Sequence, residues 1–207
     1  MIPAAVPLPA DERLRALLDE VAGRRVVVVG NSSGQFSQGL GERIDGFDLV
    51  VRMNLGLVRE PRHQGSRTDI VFSSTDKLDA ATILSAYRPR WTVWATPKRE
   101  RMPDLAALGD TLVLHPLEVW DALHARTAPA RPSTGLIAIN LFFQYGRCAD
   151  LAFAGFDFFA SGTFYHRRLF GLLPGRRKSS TAHDGDVEAR AAATMIASGR
   201  LRDLSAR

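Results

Sequence analysis

Two short segments of this chain carry residue types that could hold a phosphate, and two histidines elsewhere could move a proton. The first, residues 30–34 (Gly-Asn-Ser-Ser-Gly), is a glycine-bounded turn that directly follows a run of four valines. At the carboxyl end of a buried strand, the backbone N–H groups of such a turn can bind an anion. The spacing is neither G-x-G-x-x-G nor that of a P-loop, so a plain tight turn explains the segment equally well.

The second segment, residues 131–135 (Arg-Pro-Ser-Thr-Gly), opens a predicted helix over 133–145. Ser133 or Thr134 can cap that helix, and Gly135 would let a ligand come close to the N–H groups of its first turn. Capping alone also accounts for these residues, so the motif by itself does not establish a binding site.

Two histidines are the candidates for proton transfer. His166 lies in an aromatic and basic stretch without clear periodicity, and His183 precedes a predicted helix over 186–198. Imidazole is the side chain best suited to this chemistry near neutral pH, but an isolated histidine is also common as a surface or packing residue. The sequence has no H-E-x-x-H or C-x-x-C spacing, and Cys148 is its one cysteine, so we predict no metal site.

The elements that must position these residues alternate between strand and helix. Short β-branched or apolar runs predict strands over 26–29, 48–53, 69–73, 91–95, 111–114 and 150–155. Apolar residues at helical spacing predict helices over 11–22, 76–87, 103–108, 116–125, 133–145 and 186–198. This alternation indicates an α/β fold with a mostly parallel sheet. Residues 157–182 lack periodicity and are expected to form a functional loop or lid.

Composition narrows the class of protein. The chain has 207 residues, a formal net charge of +5 and 45% hydrophobic residues, which excludes a mainly disordered, collagen-like or coiled-coil chain. It has no apolar run long enough for a spanning helix, and we expect no signal peptide. A single cysteine allows no internal disulfide and favours a reducing compartment, so a cytoplasmic location is expected. We predict a flexible, Pro-rich lead-in over 1–9 and a single domain over 10–207.

The positive charge is concentrated in residues 131–207, which hold 11 Lys/Arg against 6 Asp/Glu. Such a region could steer an anionic nucleotide, contact an acidic membrane surface or stay solvated. No helix-turn-helix pattern or basic stripe interleaved with aromatic residues stands out, so we expect no nucleic-acid partner. A peripheral contact with the inner membrane is left open.

Taken in order, the segments resemble the sialyltransferases, family 29 of the glycosyltransferases. The resemblance covers roughly residues 25–190 and includes four motifs of that family in the right order. The family's long motif resembles residues 28–32, Gly41, 44–45, Asp48, 50–54 and 65–68, and its short motif resembles 132–135 through Cys148 to 155–156. Its third motif resembles Tyr165-His166, and its last motif, H-x-x-x-x-E, matches His183 and Glu188.

The resemblance implies a Rossmann-like three-layer sandwich of the GT-A-like type. It also implies an inverting, metal-independent transfer of sialic acid, or of a related nonulosonic or ulosonic acid such as Kdo, with no cofactor. The donor would be a CMP-sugar, and the acceptor a hydroxyl of a glycan or lipid-linked saccharide. His183 would be the general base, His166 would donate to the leaving phosphate, and Glu188 would support the loop around His183. The donor-binding residues would be Asn31, Ser32, Asn54, Ser133, Thr134, Gly135, Gly155 and Phe156.

The sequence also departs from the family pattern. Cys148 stands at the short-motif cysteine, but its disulfide partner is missing, and Arg167 and Arg168 replace the aromatic pair after His166. About 64 residues separate Thr68 from Ser133, so the acceptor-binding elaborations of larger members must be reduced or absent. These departures suggest a short, bacterial-type member. Two alternatives remain: a CMP-binding module without transferase activity, and a CMP-sugar hydrolase.

Overall fold

A computed structural model describes residues 5–158 and 182–206 of the chain. Its strands are β1 Arg25–Val29, β2 Leu49–Met53, β3 Ile70–Ser73, β4 Trp91–Trp94, β5 Leu112–Leu114, β6 Asp150–Ala154 and β7 Arg202–Asp203. They form one sheet in the order β5-β4-β3-β2-β1-β6-β7, and each neighbouring pair is parallel. The predicted α/β class with a parallel sheet is confirmed.

Helices connect the strands and cover both faces of the sheet. They are α1 Glu12–Val21, α2 Gly41–Asp45, α3 Pro61–Gln64, α4 Ala80–Thr82, α5 Leu117–Thr127, α6 Thr134–Tyr145 and α7 Gly185–Ala197. Three 3₁₀ turns lie at Ser33–Ser37, Arg99–Arg101 and Ala106–Thr111, and a π-helical turn at Ile83–Tyr87 directly continues α4.

The valine run shows how the layers are built. Successive side chains of a strand point to opposite faces of its sheet, so a strand in the middle of a three-layer fold must be apolar throughout. Val26 and Val28 join the core formed with α1 and α6, whereas Val27 and Val29 join a second core that contains Ile44 of α2. All four valines are buried, and the three-layer arrangement follows from this.

The helix predicted over 76–87 is confirmed only over 80–87, where the π-helical turn continues α4, and the helix predicted over 103–108 is wrong. Over 76–87 the helix begins only at Ala80, because the Asp79 side chain accepts a hydrogen bond from Thr82 N (2.8 Å) and caps it there. The prediction over 103–108 corresponds to the 3₁₀ turn Ala106–Thr111, which contains Gly109 at φ +53, outside the helical region. The elements α2, α3 and β7 were not predicted, since none is long enough to show a period.

The strand order reverses between β1 and β6. Chain succession runs from β1 outward through β2 to β5, and the other two strands lie on the opposite side of β1. In open α/β sheets, ligands bind at such a switch point, in the crevice outside the carboxyl ends of the strands. A ligand-binding site is therefore expected at the loops after β1, β2 and β6.

Residues 5–10 form no helix or strand, yet they contact the body of the protein. The Tyr145 hydroxyl donates to Val6 O (2.9 Å), and Leu8 packs against the main core. The segment predicted to be a flexible lead-in is thus held at two points. Within the described residues, no helix combines the length and the hydrophobicity needed to cross a membrane.

Candidate functional site

The loops after β1 and β6 approach each other so closely that side chains are excluded. Ser32 N donates to Gly155 O (3.0 Å), and a Cβ on Gly30 would lie 2.4 Å from that same oxygen. Gly155 itself has φ +68, a conformation that favours glycine. The Ser32 side chain accepts from Gly34 N (3.1 Å) and caps the 3₁₀ turn that follows. These contacts therefore fix the conformation of the turn at the switch point.

Asn31 lies where the carboxyl ends of β1 and β2 meet. Its Nδ2 donates to Met53 O (3.1 Å), and only 9% of the residue is exposed. A Cβ on Gly56 would lie 2.3 Å from Asn31 Oδ1, so the loop after β2 closes against this amide. One Nδ2–H bond is used in this way, and an amide nitrogen has a second N–H to offer a ligand.

Asn54 joins three elements through one side chain. Its Oδ1 accepts from Ser74 N (2.9 Å), and its Nδ2 donates to Thr134 Oγ1 (3.1 Å). Thr134 Oγ1 in turn donates to Ser74 Oγ (3.0 Å), which closes a ring of hydrogen bonds between the loops after β2 and β3 and the start of α6. Asn54 has φ +48, a left-handed conformation in which asparagine is enriched. The predicted donor residues Asn54 and Thr134 are thus in direct contact.

The first turn of α6 lies beside the β6 loop. A Cβ on Gly135 would meet the Phe156 ring at 2.4 Å and Met53 Sδ at 3.2 Å, so glycine is needed for this contact. The Phe156 ring also packs edge-on against Phe153, with centroids 5.5 Å apart. Backbone N–H groups and the positive end of the helix dipole point from this turn toward the crevice, an arrangement suited to an anion.

Glu188 attaches α7 to the start of α6. Ser133 caps α6 by accepting from Leu136 N (3.2 Å), while its own N and Oγ donate to the two carboxylate oxygens of Glu188 at 2.7 and 2.6 Å. Only 2% of Glu188 is exposed. Burial raises the pKa of its carboxyl to about 7; the Ser133 hydrogen bonds lower it in part, and the charge of Asp184 raises it further.

His183 contacts the same segment at Arg131, which lies two residues before Ser133. Its Nδ1 lies 2.7 Å from Arg131 O, and Arg131 N donates to Ala182 O (2.9 Å). A carbonyl oxygen can only accept, so Nδ1 carries the proton and Nε2 keeps the lone pair. Asp184, the next residue, caps α7 by accepting from Asp186 N and Val187 N. This tautomer is the one in which Nε2 can act as a base.

The structure brings most of the predicted site residues to one edge of the sheet. His166, together with residues 159–181 of the predicted lid, lies outside the described residues. Sequence reasoning missed Ser74 and Arg131. Ser74 directly follows the predicted third strand, so it could have been identified because ligands bind at the carboxyl ends of strands in open α/β sheets. No feature of the neighbouring sequence indicates a role for the Arg131 carbonyl.

Over 5–158 and 182–206, no group of three or more His, Cys, Asp or Glu side chains is placed to hold a metal ion. Cys148 is partly buried, and burial raises the pKa of its thiol to about 11. Such a thiol is unreactive at neutral pH because the thiolate is the reactive form.

Comparison with known families finds similarity to sialyltransferases. Residues 6–105 match the model of glycosyltransferase family 29 (sialyltransferase). The chain is 29% identical over 174 residues to the human type 2 lactosamine alpha-2,3-sialyltransferase, an alignment that covers 68% of this chain and 52% of the relative. It is 26% identical over 220 residues to the mouse CMP-N-acetylneuraminate-beta-galactosamide-alpha-2,3-sialyltransferase 1, covering 95% and 63%. The chain spans about half the length of the first of these relatives. The predicted resemblance to family 29 is confirmed.

Solved structures show the same fold. A crystal structure of a mammalian sialyltransferase superposes with a TM-score of 0.61 at 17% identity, covering 98% of this chain and 82% of that one. The sialyltransferase Cst-II in complex with a trisaccharide acceptor and CMP gives 0.55 at 12% identity, covering 88% and 81%. The predicted Rossmann-like, GT-A-like fold is confirmed.

Proposed function

We propose that this relative of the family 29 sialyltransferases is a glycosyltransferase that moves sialic acid from a CMP donor to a glycan hydroxyl. The observation that carries the proposal is the hydrogen bond between Asn54 and Thr134, 80 residues apart, which joins the long and short motifs at the switch point. The relatives named above are alpha-2,3-sialyltransferases for lactosamine and beta-galactosamide glycans. A related acid such as Kdo carries the same carboxylate and leaving group and is a second candidate donor sugar.

The donor would lie with its phosphate at the start of α6. As the bond from the anomeric carbon to the phosphate oxygen breaks, negative charge develops on the phosphate, and fixed donors aimed at that charge lower the barrier. Such donors are the first-turn N–H groups of α6 and the second N–H of each amide of Asn31 and Asn54. Gly155 and Phe156 would line the cytidine pocket.

His183 would be the general base. With Nδ1 donating to Arg131 O, Nε2 can take the proton from the acceptor hydroxyl while that oxygen bonds to the anomeric carbon and the CMP phosphate leaves. Attack from the face opposite the phosphate inverts the configuration. Glu188, bound to Ser133, would hold α6 and α7 together and have no role in the proton transfer from the acceptor.

Four further parts of the proposal come from the resemblance and the composition. His166 would donate a hydrogen bond to the leaving phosphate, and transfer would need no metal ion. A cytoplasmic location is supported by the single cysteine, and a peripheral contact with the inner membrane by the basic excess in residues 131–207.

A titration with CMP tests the donor site. At 100 times its Kd, a ligand that binds one site raises the free energy of unfolding by about 2.7 kcal/mol, which a melting curve detects. We expect stabilisation by CMP over UMP, AMP and GMP, and a weaker effect in Asn31→Ala. Asn140→Ala, at a buried asparagine that lines a small cavity with Val6 and Leu123, is the control and should bind CMP normally. No preference for CMP would contradict the proposal.

Product analysis then distinguishes the activities. CMP-sialic acid and CMP-Kdo would each be incubated with the protein, with and without a lactosamine acceptor. A sialylated acceptor supports the transferase. Free sugar acid formed equally in both incubations would indicate a hydrolase, and CMP binding without either product would indicate a binding module.

A further inference from the structure

Tyr87 reaches the donor site from the outer helical layer. It ends the π-helical turn Ile83–Tyr87, where Arg88 N donates to Ile83 O (3.2 Å) across five residues. The wide turn places the Tyr87 ring in an apolar cluster with Val71 and Trp94, with only 6% of the residue exposed. Its hydroxyl emerges from that cluster and donates to Asn54 O at 2.5 Å. Wide turns of this kind inside helices are frequently found at functional sites.

Asn54 is held at all four of its polar groups. Its N donates to Phe72 O (2.9 Å), and its side-chain amide is bound by Ser74 and Thr134. The carbonyl is held by Tyr87. Because Asn54 has φ +48, its backbone lies in a conformation that is sparsely populated and needs such support.

The bond from Tyr87 acts on the orientation of the Asn54 side chain. Fixing the carbonyl fixes the peptide plane that follows Asn54, and with it the direction in which the side chain leaves the backbone. From this plane the chain continues through Leu55 to Gly56, which packs closely against Asn31 Oδ1. A ligand that binds an amide already held in place does not have to order it, which favours affinity.

We propose that Tyr87 is a positioning residue for the donor site, acting through the Asn54 backbone carbonyl. This inference rests on the proposed function, in which Asn54 binds the CMP-sugar. Tyr87 is buried and does not itself contact the donor. Without its hydroxyl, the Asn54 carbonyl loses its partner. The backbone that carries the amide can then tilt, although Ser74 and Thr134 still bind the amide itself.

Two tyrosine-to-phenylalanine variants test the proposal. Tyr87→Phe removes the hydroxyl and keeps the buried ring. Tyr145→Phe removes the same kind of bond, a hydroxyl donating to Val6 O (2.9 Å), at the C-terminal end of α6, and is the matched control. Calorimetric titration should show that Tyr87→Phe raises the Kd for CMP about tenfold, the effect of one well-placed hydrogen bond. Tyr145→Phe should leave that Kd unchanged.

A second pair of variants separates positioning from general weakening of the fold. Asn54→Gly removes the amide but tolerates the left-handed backbone. In that background, Tyr87→Phe should have almost no further effect on the CMP Kd, although it should still lower the melting temperature without ligand. All titrations are made well below the melting temperature of the least stable variant.

The outcomes are distinguishable. Equal Kd values for the wild type and Tyr87→Phe, or a tenfold effect that persists in Asn54→Gly, would overturn the role of Tyr87 alone. Failure of the wild type to bind CMP would overturn the proposed function and the role of Tyr87 with it. A tenfold loss confined to the background that retains Asn54 supports both.

Discussion

Two regions of the sheet differ in how their buried polar atoms are bonded. Around β1, β2 and β6, buried polar side chains form hydrogen bonds between different elements, as in the Asn54–Thr134 and Ser133–Glu188 pairs. Gln35 Oε1 is an exception, since it is buried and has no hydrogen-bond partner among the described residues. Around β4 and β5, three buried polar atoms have no hydrogen-bond partner among the described residues. They are Thr92 Oγ1, Trp94 Nε1 and His115 Nε2.

The difference shows what each region is built to do. A buried polar atom without a partner costs about 1–3 kcal/mol, which apolar packing around β4 and β5 offsets without orienting the polar group. Around β1, β2 and β6, bonds set the orientation of each amide and carboxylate, and orientation is what ligand binding needs. A change in the first region should therefore alter binding or catalysis, and a change in the second should alter stability alone.

The strongest test of this contrast is His183→Ala. Loss of the proposed base should reduce the rate of transfer by about 10²–10⁴-fold, while CMP binding stays nearly intact because the proposed donor-binding residues are untouched. Initial rates at saturating donor and calorimetric titration with CMP measure the two effects. His124→Ala, on α5 and stacked against Trp120, is the control and should keep its activity. Equal losses of rate and CMP affinity would reassign His183 to donor binding.

Gly30→Ala should disrupt the junction of β1 and β6. Its Cβ would lie 2.4 Å from Gly155 O, a backbone atom, so the two strands would have to separate locally. We expect the free energy of unfolding to fall by more than about 3 kcal/mol, measured by urea denaturation. Gly46→Ala, where the nearest atoms lie at 3.5 Å, should be almost neutral. Similar losses in both variants would show that the close approach does not matter.

Glu188 should make the protein less stable as the pH rises toward neutrality. Burial raises the pKa of its carboxyl from 4.5 to about 7, so between these values the folded state binds a proton that the unfolded state has lost. The free energy of unfolding should fall by about 3 kcal/mol as the pH rises through that window.

Glu188→Gln removes this titration. Its amide can accept from Ser133 N and donate to Ser133 Oγ, so the contact with α6 is kept. Urea denaturation at pH 5, 6 and 7 should show the variant gaining stability relative to the wild type as the pH rises. Parallel profiles for the two proteins would contradict the role of burial.

His115 should make the protein less stable as the pH falls, which is the opposite of the effect of Glu188. The change in stability should also be smaller over the accessible pH range. Burial lowers the pKa of its imidazole from 6.5 to about 4, and the neighbouring Arg99 adds to the effect against the Pro116 O hydrogen bond. The contribution of neutral His115 to the free energy of unfolding is complete above pH 6.5. It is lost as the pH falls, by about 2 kcal/mol between pH 6.5 and 5.

His115→Gln should remove that acid sensitivity. Unfolding by urea at pH 6.5 and 5 measures the change, and the stability difference between wild type and variant should shrink at the lower pH. The CMP Kd should not change, since His115 belongs to the β4–β5 region. A loss of CMP affinity would join the two regions and contradict the contrast between them.

Several parts of the fold and the site could be predicted from local pattern. The valine run indicated a strand buried on both faces, because only such a strand can be apolar at every position. Ser133 was one of two residues expected to cap α6, and it does so. The helix predicted over 76–87 is confirmed only from Ala80 onward, because the Asp79 cap and the wide turn at Ile83–Tyr87 depend on contacts that periodicity does not record.

Local sequence pattern was sufficient for the strand and helix alternation, the glycines at the close approaches and the motifs that resemble those of family 29. The hydrogen bonds that hold the site together join segments far apart in the chain. Ser74 and Thr134 meet across 60 residues, Tyr87 and Asn54 across 33, and His183 and Arg131 across 52. Local propensity depends on neighbours within a few positions, whereas these hydrogen bonds exist only once parallel strands have brought their carboxyl ends to one edge.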